Sequence, residues 1–202
     1  MVFDDNKRIR DSLEMLFTAH SEFEWIGGYM DASGAPDLIG NYLPDIVLMD
    51  VEMPGTNGIE ATYHIKNKYP DQVIIMLTGF DDDEKVFDSI CAGASGYVLK
   101  SQSLSTLVET VQEVHNGKLS ITPSIAVKII DFFLQKNASE SVEVINLSAD
   151  EMEVLKNLSL GNSYTNIAKA GAMTYDAIFT SIQNIYEKIH IKLYHRATTS
   201  ML

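Results

Sequence analysis

Five short apolar runs, separated by stretches of helical periodicity, constrain what this chain can fold into more than any other feature. The runs are Val2 and Phe3; Phe23, Trp25 and Ile26; Ile46 to Met49; Val73 to Leu77; and Tyr97 to Leu99. A strand that is apolar at every position must be covered on both faces, and the usual cover is a helix crossing back between parallel neighbours. Ile9, Leu13, Leu16 and Phe17 share one face of such a helix, as do Leu104, Leu107, Val108, Val111 and Val114. Residues 1–117 are therefore predicted to form a five-stranded, doubly wound parallel α/β sheet. The first strand is short, since only Met1 to Phe3 precede the acidic pair Asp4 and Asp5, and a few native residues are expected ahead of it.

Charge divides the chain in two. Residues 1–118 hold 20 Asp and Glu against 8 Lys and Arg, a balance of −12, whereas residues 119–202 hold 8 against 7, a balance of −1. So abrupt a shift predicts two functional units. Neither has the cationic surplus usual in a nucleic-acid binder. The longest apolar run, Val73 to Leu77, is far shorter than the ~20 residues of a membrane-spanning helix. The acidic start lacks the basic and then apolar pattern of a secretory signal. Cys91 is the single cysteine, so an internal disulfide is excluded. These features predict a cytoplasmic protein with no membrane contact.

Asn116-Gly117 is a helix stop, and the amphipathic segment after Pro123, carrying Ile125, Ile129, Ile130, Phe133 and Leu134, reads as a linker helix. The polar stretch Gln135 to Glu143 reads as a tether, so that 118–146 forms the connection between domains. From Leu147 the pattern is helical throughout. Ser148 and Glu151 have the spacing of a capping box ahead of Met152, Leu155 and Leu158. Gly161 ends that helix, Ser163 caps a short one through Ile167 and Ala168, Gly171 breaks it, and Thr174 caps a longer one carrying Ile178, Ile182, Ile185 and Ile189. Short helix, glycine turn and longer helix make a helix-turn-helix pattern in a small all-α domain over 147–202.

The chemistry of the first half lies at its strand ends, where ligands of a parallel α/β sheet bind. Asp4 and Asp5 end the first run, Asp50 the third, Thr78 the fourth and Lys100 the fifth. Clustered carboxylates repel one another unless they share a cation, and oxygen ligands of this hardness suit Mg²⁺. Such an ion keeps Asp50 ionised and nucleophilic and neutralises an incoming phosphoryl group, which Lys100 and Thr78 can also hold. The set therefore predicts a phosphoryl acceptor at Asp50. Asp4-Asp5, Asp50, Met53-Pro54-Gly55-Thr56-Asn57-Gly58-Ile59-Glu60, Thr78-Gly79 and Tyr97-Val98-Leu99-Lys100 resemble the flavodoxin-like receiver domain of two-component systems. That resemblance implies Mg²⁺ on Asp5, Asp50 and the backbone carbonyl of Glu52, with Asp4 acting through water. It also implies phosphoryl transfer from a sensor histidine kinase, and Thr78 and Tyr97 as a switch pair. A dehalogenase-like phosphatase also uses an Asp nucleophile with an acid two residues on, as Glu52 stands to Asp50. There, however, the acidic pair comes late in the chain, so no enzyme is predicted.

The second half resembles the LuxR-type helix-turn-helix of response regulators of the NarL and FixJ kind, on Leu147-Ser148 with Glu151, Glu153-Val154-Leu155, Gly161, Ser163, Ile167-Ala168 and Asn184-Ile185-Tyr186-Glu187-Lys188-Ile189. The resemblance implies a DNA-binding transcription regulator that forms homodimers on phosphorylation. Thr174, Phe179, Thr180, Gln183 and Lys188 are the candidate DNA contacts. The family's reading helix runs Ser-x-x-Thr-Val-Lys-x-His, whereas this chain has Phe179 for the lysine and Ser181 for the histidine. Phe179 reads equally as packing or as an exposed contact. Residues 147–202 hold five Lys and Arg against five Asp and Glu. The runner-up is therefore a phospho-switch that works through protein contacts, with a helix-turn-helix that binds DNA weakly or not at all. The histidines have no metal-ligand spacing, Cys91 reads as a packing residue, and Asp81 to Glu84 as a solvated helix start.

Overall fold

The computed structural model describes residues 1–79, 83–118, 121–134, 146–171 and 173–199, with side chains through 193. The expected tether Gln135 to Glu143, Asp81 and Asp82 of the acidic run, and the side chain of His195 lie outside the described residues. The chain divides into two compact units, Met1–Gly117 and Lys118–Leu202.

The first unit contains β1 (Val2–Phe3), α1 (Lys7–Thr18), β2 (Gly28–Tyr29), α2 (Ala35–Tyr42), β3 (Ile46–Asp50), α3 (Gly58–Lys68), β4 (Val73–Thr78), α4 (Asp83–Cys91), β5 (Gly96–Leu99) and α5 (Leu104–His115). All pairings are parallel, in the order β2-β1-β3-β4-β5. Continuous apolar strands bury alternate residues on opposite faces. Val47, Met49, Ile74 and Met76 pack with Ala35, Ile39, Ala61 and Ile65 of α2 and α3. Leu48, Ile75, Leu77 and Val98 pack with Leu13, Phe17, Leu107 and Val111 of α1 and α5. Each large side chain so buried stabilises the fold by roughly 1.5–3 kcal/mol.

The second strand is not where the apolar run suggested. Phe23 and Trp25 pack on the cluster formed with α1 and α5, Phe23 meeting the Phe17 ring edge-on at 5.0 Å, and the ladder with β1 forms at Gly28 and Tyr29 instead. Burial against a helix, not strand pairing, accounts for the hydrophobicity of that run.

The second unit contains α6 (Pro123–Leu134), α7 (Ala149–Ser159), α8 (Tyr164–Lys169) and α9 (Tyr175–Thr199). The capping box forms, Ser148 N–H donating to Glu151 Oε2 at 2.7 Å and Glu151 N–H to Ser148 Oγ at 3.2 Å. Gly161 and Gly171 take positive φ of 83° and 81°, as the two helix stops require. Ile178, Ile182, Ile185 and Ile189 are fully buried. The helix expected in a linker is a member of this unit. α6 packs on α7, the Ile121 N–H donates to Tyr164 Oη at 2.8 Å, and Lys192 Nζ donates to the Phe132 carbonyl at 3.2 Å. An ammonium at carbonyls that end a helix satisfies groups with no partner in the helix and complements its dipole.

Gly58 opens α3 against the end of β3. A Cβ there would lie 1.9 Å from the Asp50 carbonyl oxygen. Gly58→Ala should therefore push the Asp50 strand end and α3 apart and destabilise the first unit by about 1–3 kcal/mol. Urea unfolding read by circular dichroism checks this, and an unchanged midpoint would refute the close approach.

Candidate functional site

The carboxyl ends of β1 and β3, adjacent strands whose connections run to opposite sides, open the crevice in which this topology places ligands. Asp4 follows β1 and Asp50 ends β3, and both are buried. Lys100 follows β5 and reaches across, its Nζ 2.8 Å from Asp4 Oδ2 and 2.7 Å from Asp50 Oδ2. Asp5 is exposed at the rim. Oxygens of Asp4, Asp5 and Asp50 all lie within 4.8 Å of one another.

Burial raises the Asp50 carboxyl above the usual carboxylate range, and Asp4 adds to the rise, against the opposing pull of Lys100. For Lys100, burial disfavours the charge, but the Asp4 and Asp50 carboxylates beside it outweigh burial and raise the ammonium above its ordinary value. Lys100 is therefore the cation that lets two carboxylates share a buried pocket. The pairing is incomplete, because Asp4 Oδ2 is buried without a hydrogen-bond donor of acceptable geometry despite the nearby ammonium. A buried carboxylate oxygen with an unused lone pair, beside two further carboxylates, fits a hard divalent cation.

The remaining candidates lie on or beside the neighbouring strands. Thr78 ends β4 and is buried. Tyr97 in β5 is half-buried against the cluster of the α2 and α3 face. The Glu52 carboxylate is turned to Lys85 Nζ on α4, which leaves only its backbone to serve the pocket. Asp50 Oδ1 accepts the Glu52 N–H at 3.2 Å.

Two supports escaped the sequence reading. The Asn6 N–H donates to Asp4 Oδ1 at 2.8 Å, while the Asn6 side chain caps α1. Arg10 Nη1 donates to the Asp4 carbonyl at 2.6 Å and the Asp5 carbonyl at 3.1 Å, which ties the acidic turn to the helix after it. A cap residue and an arginine one turn into a helix were visible signals, but nothing local says that they serve the pocket.

The helix-turn-helix candidates separate into two groups. Thr174, Thr180 and Gln183 are exposed on the first turns of α9 or just before them. Thr174 caps that helix through the Ala177 N–H at 3.2 Å, and the Thr180 hydroxyl donates to the Asp176 carbonyl at 3.0 Å. Phe179 is half-buried with its ring edge-on to Tyr175 at 4.8 Å and to Tyr164 at 5.4 Å, which makes it a packing residue. Lys188 is paired within the domain: its Nζ lies 2.8 and 2.7 Å from the carboxylate oxygens of Glu151, which is buried. The expectation that it contacts DNA is corrected, because a lysine neutralising a buried carboxylate is not available to phosphate.

Residues 1–112 match the family model of the response regulator receiver domain. The chain belongs to the response regulator family. Over nearly its whole length it is similar to the transcriptional regulatory protein LiaR of Bacillus subtilis, 30% identical over 191 residues that cover 95% of this chain and 90% of LiaR. DegU of Brevibacillus brevis, also a transcriptional regulatory protein, is 29% identical over 205 residues, covering 95% of this chain and 87% of its own. Among solved structures, a LuxR-family two-component response regulator from an Aurantimonas species is 31% identical with a TM-score of 0.59, covering 67% of this chain and 96% of that one. No helix among the described residues is long and apolar enough to cross a membrane.

Replacing Lys100 by methionine removes the one cation among the described residues that pairs with both buried carboxylates. The variant should lose about 3 kcal/mol of stability in the presence of a chelator, and millimolar Mg²⁺ should restore more stability to it than to the parent. Thermal unfolding with and without the ion measures both. Equal responses to Mg²⁺ in variant and parent would show that Lys100 does not stand in for a cation.

Proposed function

We propose that this chain is a phosphorylation-dependent regulator of transcription that accepts a phosphoryl group on Asp50 from the phosphohistidine of a sensor histidine kinase. The observation that carries the reading is the buried pair Asp4 and Asp50 bridged by Lys100 at a strand-end crevice. An Asp50 carboxylate oxygen attacks phosphorus, the new P–O bond forms as the P–N bond breaks, and the imidazole leaves with the electron pair and takes up a proton. Lys100 follows the developing charge from the carboxylate to the phosphoryl oxygens, and the Thr78 hydroxyl donates to another of them. Asp5, Asp50 and the Glu52 carbonyl are the residues that would hold Mg²⁺, with Asp4 acting through its water. Bound there, the ion supplies charge neutralisation to the transferred group. Once Thr78 turns towards the phosphoryl group, the Tyr97 ring can move into the space that it leaves, which carries the signal to the surface around α4 and β5.

The site serves as an acceptor, without turnover of phosphomonoesters, as befits relatives that are regulatory proteins. A receiver over 1–117, an output unit in which α6 joins the helix-turn-helix of 147–202, cytoplasmic location and homodimerisation on phosphorylation belong to the same reading. Acetyl phosphate with Mg²⁺ should label the protein at Asp50 alone, as read by intact-mass and peptide analysis. Label that persists in Asp50→Ala would overturn the assignment, and Asp5→Ala should abolish Mg²⁺-dependent labelling.

A second reading is favoured by where the cations of the helix-turn-helix lie. Lys188 is taken by Glu151, and Lys192 is buried against the end of α6. The exposed lysines of 147–193 are Lys156 and Lys169. With so few cations for phosphates, the output is expected to bind DNA weakly and to rely on pairing or on protein contacts. Gln183→Lys should then strengthen binding to genomic fragments and steepen its salt dependence by about one unit in the log–log plot. Fluorescence anisotropy across a salt series measures this. If the variant binds DNA no better while the parent captures a protein partner, the protein-contact reading replaces the DNA reading.

A further inference from the structure

Between α1 and α5, on the face of the sheet opposite α2 and α3, lies a cavity of about 270 Å³. Its floor is formed by Leu13, Leu77, Val98 and Leu107, all buried. Its open side, the mouth, is marked by the exposed lining residues Arg8, Gln102 and Leu104 and by the half-buried Lys100. In a unit with 20 acidic residues by the sequence, the lining of this cavity contains no carboxylate. The Arg8 guanidinium and the Gln102 side-chain amide make no hydrogen bond or ion pair among the described residues.

Two helix dipoles reinforce the same sign of potential. Arg8 lies in the first turn of α1, which has no acidic residue, and Leu104 is the first residue of α5. A cation in the first turn opposes its own helix dipole, so Arg8 is not there to stabilise α1. An anion at the mouth would meet the guanidinium beside the first turns of both helices, where Asn6 and Ser103 already accept the Arg8 and Thr106 N–H groups and the dipoles still favour negative charge. Leu104 is half exposed, so part of the mouth is itself apolar. Apolar walls with a few polar groups at one end are the usual form of a small-molecule site.

We propose that this cavity binds a small amphipathic anion, a carboxylate carrying an acyl or aryl body, with the apolar part between α1 and α5 and the carboxylate at Arg8 and Gln102. A cavity of about 150 Å³ holds benzene, so a chain of about eight carbons matches the volume available here. The site shares only Lys100 with the residues of the phosphoryl pocket and does not depend on the reading given to that pocket. It does touch it physically, because Leu77 pairs in register with Asp50 and precedes Thr78, and Lys100 belongs to both. Occupation would then alter the phosphoryl pocket, and phosphorylation would alter ligand affinity by the same factor.

The test is a titration of the full chain, labelled with nitrogen-15, with octanoate and separately with octylammonium, followed by amide chemical shifts. Octanoate should give saturable shifts centred on Leu13, Leu77 and Leu107 and bind about tenfold more tightly than octylammonium. Arg8→Glu, an exposed substitution that leaves the core intact, should reverse that order. The proposal is overturned if octanoate gives no saturable shift at millimolar concentration, if the two probes bind the parent equally, or if the shifts centre elsewhere. Sedimentation of the same samples covers the remaining occupant: a dimer that buries these residues and excludes octanoate also overturns it.

Discussion

Lys100 holds the first unit's functional end together. Two carboxylates buried side by side cost more free energy than a small domain can spare unless a cation stands between them, and here it stands within 2.8 Å of both. The surroundings follow from that requirement. Asp4 is held by the Asn6 N–H, and Arg10 grips the turn behind it. Asp50 sits at the end of a strand that α3 can approach only because position 58 lacks a Cβ. The pocket is therefore assembled under electrostatic tension, partly relieved by one ammonium and with a lone pair still unused on Asp4. An added divalent cation or a phosphoryl group changes the balance that holds Lys100, which is what a switch needs.

The second unit spends its positive charge differently. Glu151 serves the capping box and is buried, so its negative charge must be met from inside, and Lys188 of α9 meets it. Lys192 lies against the last carbonyls of α6, 5.1 and 5.0 Å from the Phe132 and Phe133 rings. Both contacts lock α9 to its neighbours, Lys188 to α7 and Lys192 to α6. The same ammonium groups are thereby engaged within the unit. Stability of the scaffold and affinity for a polyanion draw on one small pool of cations, and this chain commits Lys188 and Lys192 to the scaffold while Lys156 and Lys169 stay exposed.

Much of this was legible in the order of residues. Continuous apolar runs named β3, β4 and β5, because strands buried on both faces leave no polar position. The acidic and basic residues that end them could be read as one pocket, since parallel strands present their carboxyl ends on a single side. The capping box, the glycine stops and the apolar face of α9 were equally plain, being local patterns of three to five residues. Phe23, Trp25 and Ile26 misled, because a run that packs against a helix has the composition of one that pairs in a sheet. α6 misled for a related reason: its apolar face shows that it packs, not on what.

The sequence by itself therefore determined the strand order of chemistry, Asp4 and Asp5, then Asp50, then Thr78, then Lys100, and with it the class of site. Tertiary structure alone decided which charged residues are available and which are consumed. Glu151 and Lys188 are separated by 37 residues, and Phe132 and Lys192 by 60. Contacts across such distances leave no periodic trace in the chain. They arise because a buried charge or an unpaired carbonyl costs too much to leave alone, and the nearest group that can satisfy it is set by packing.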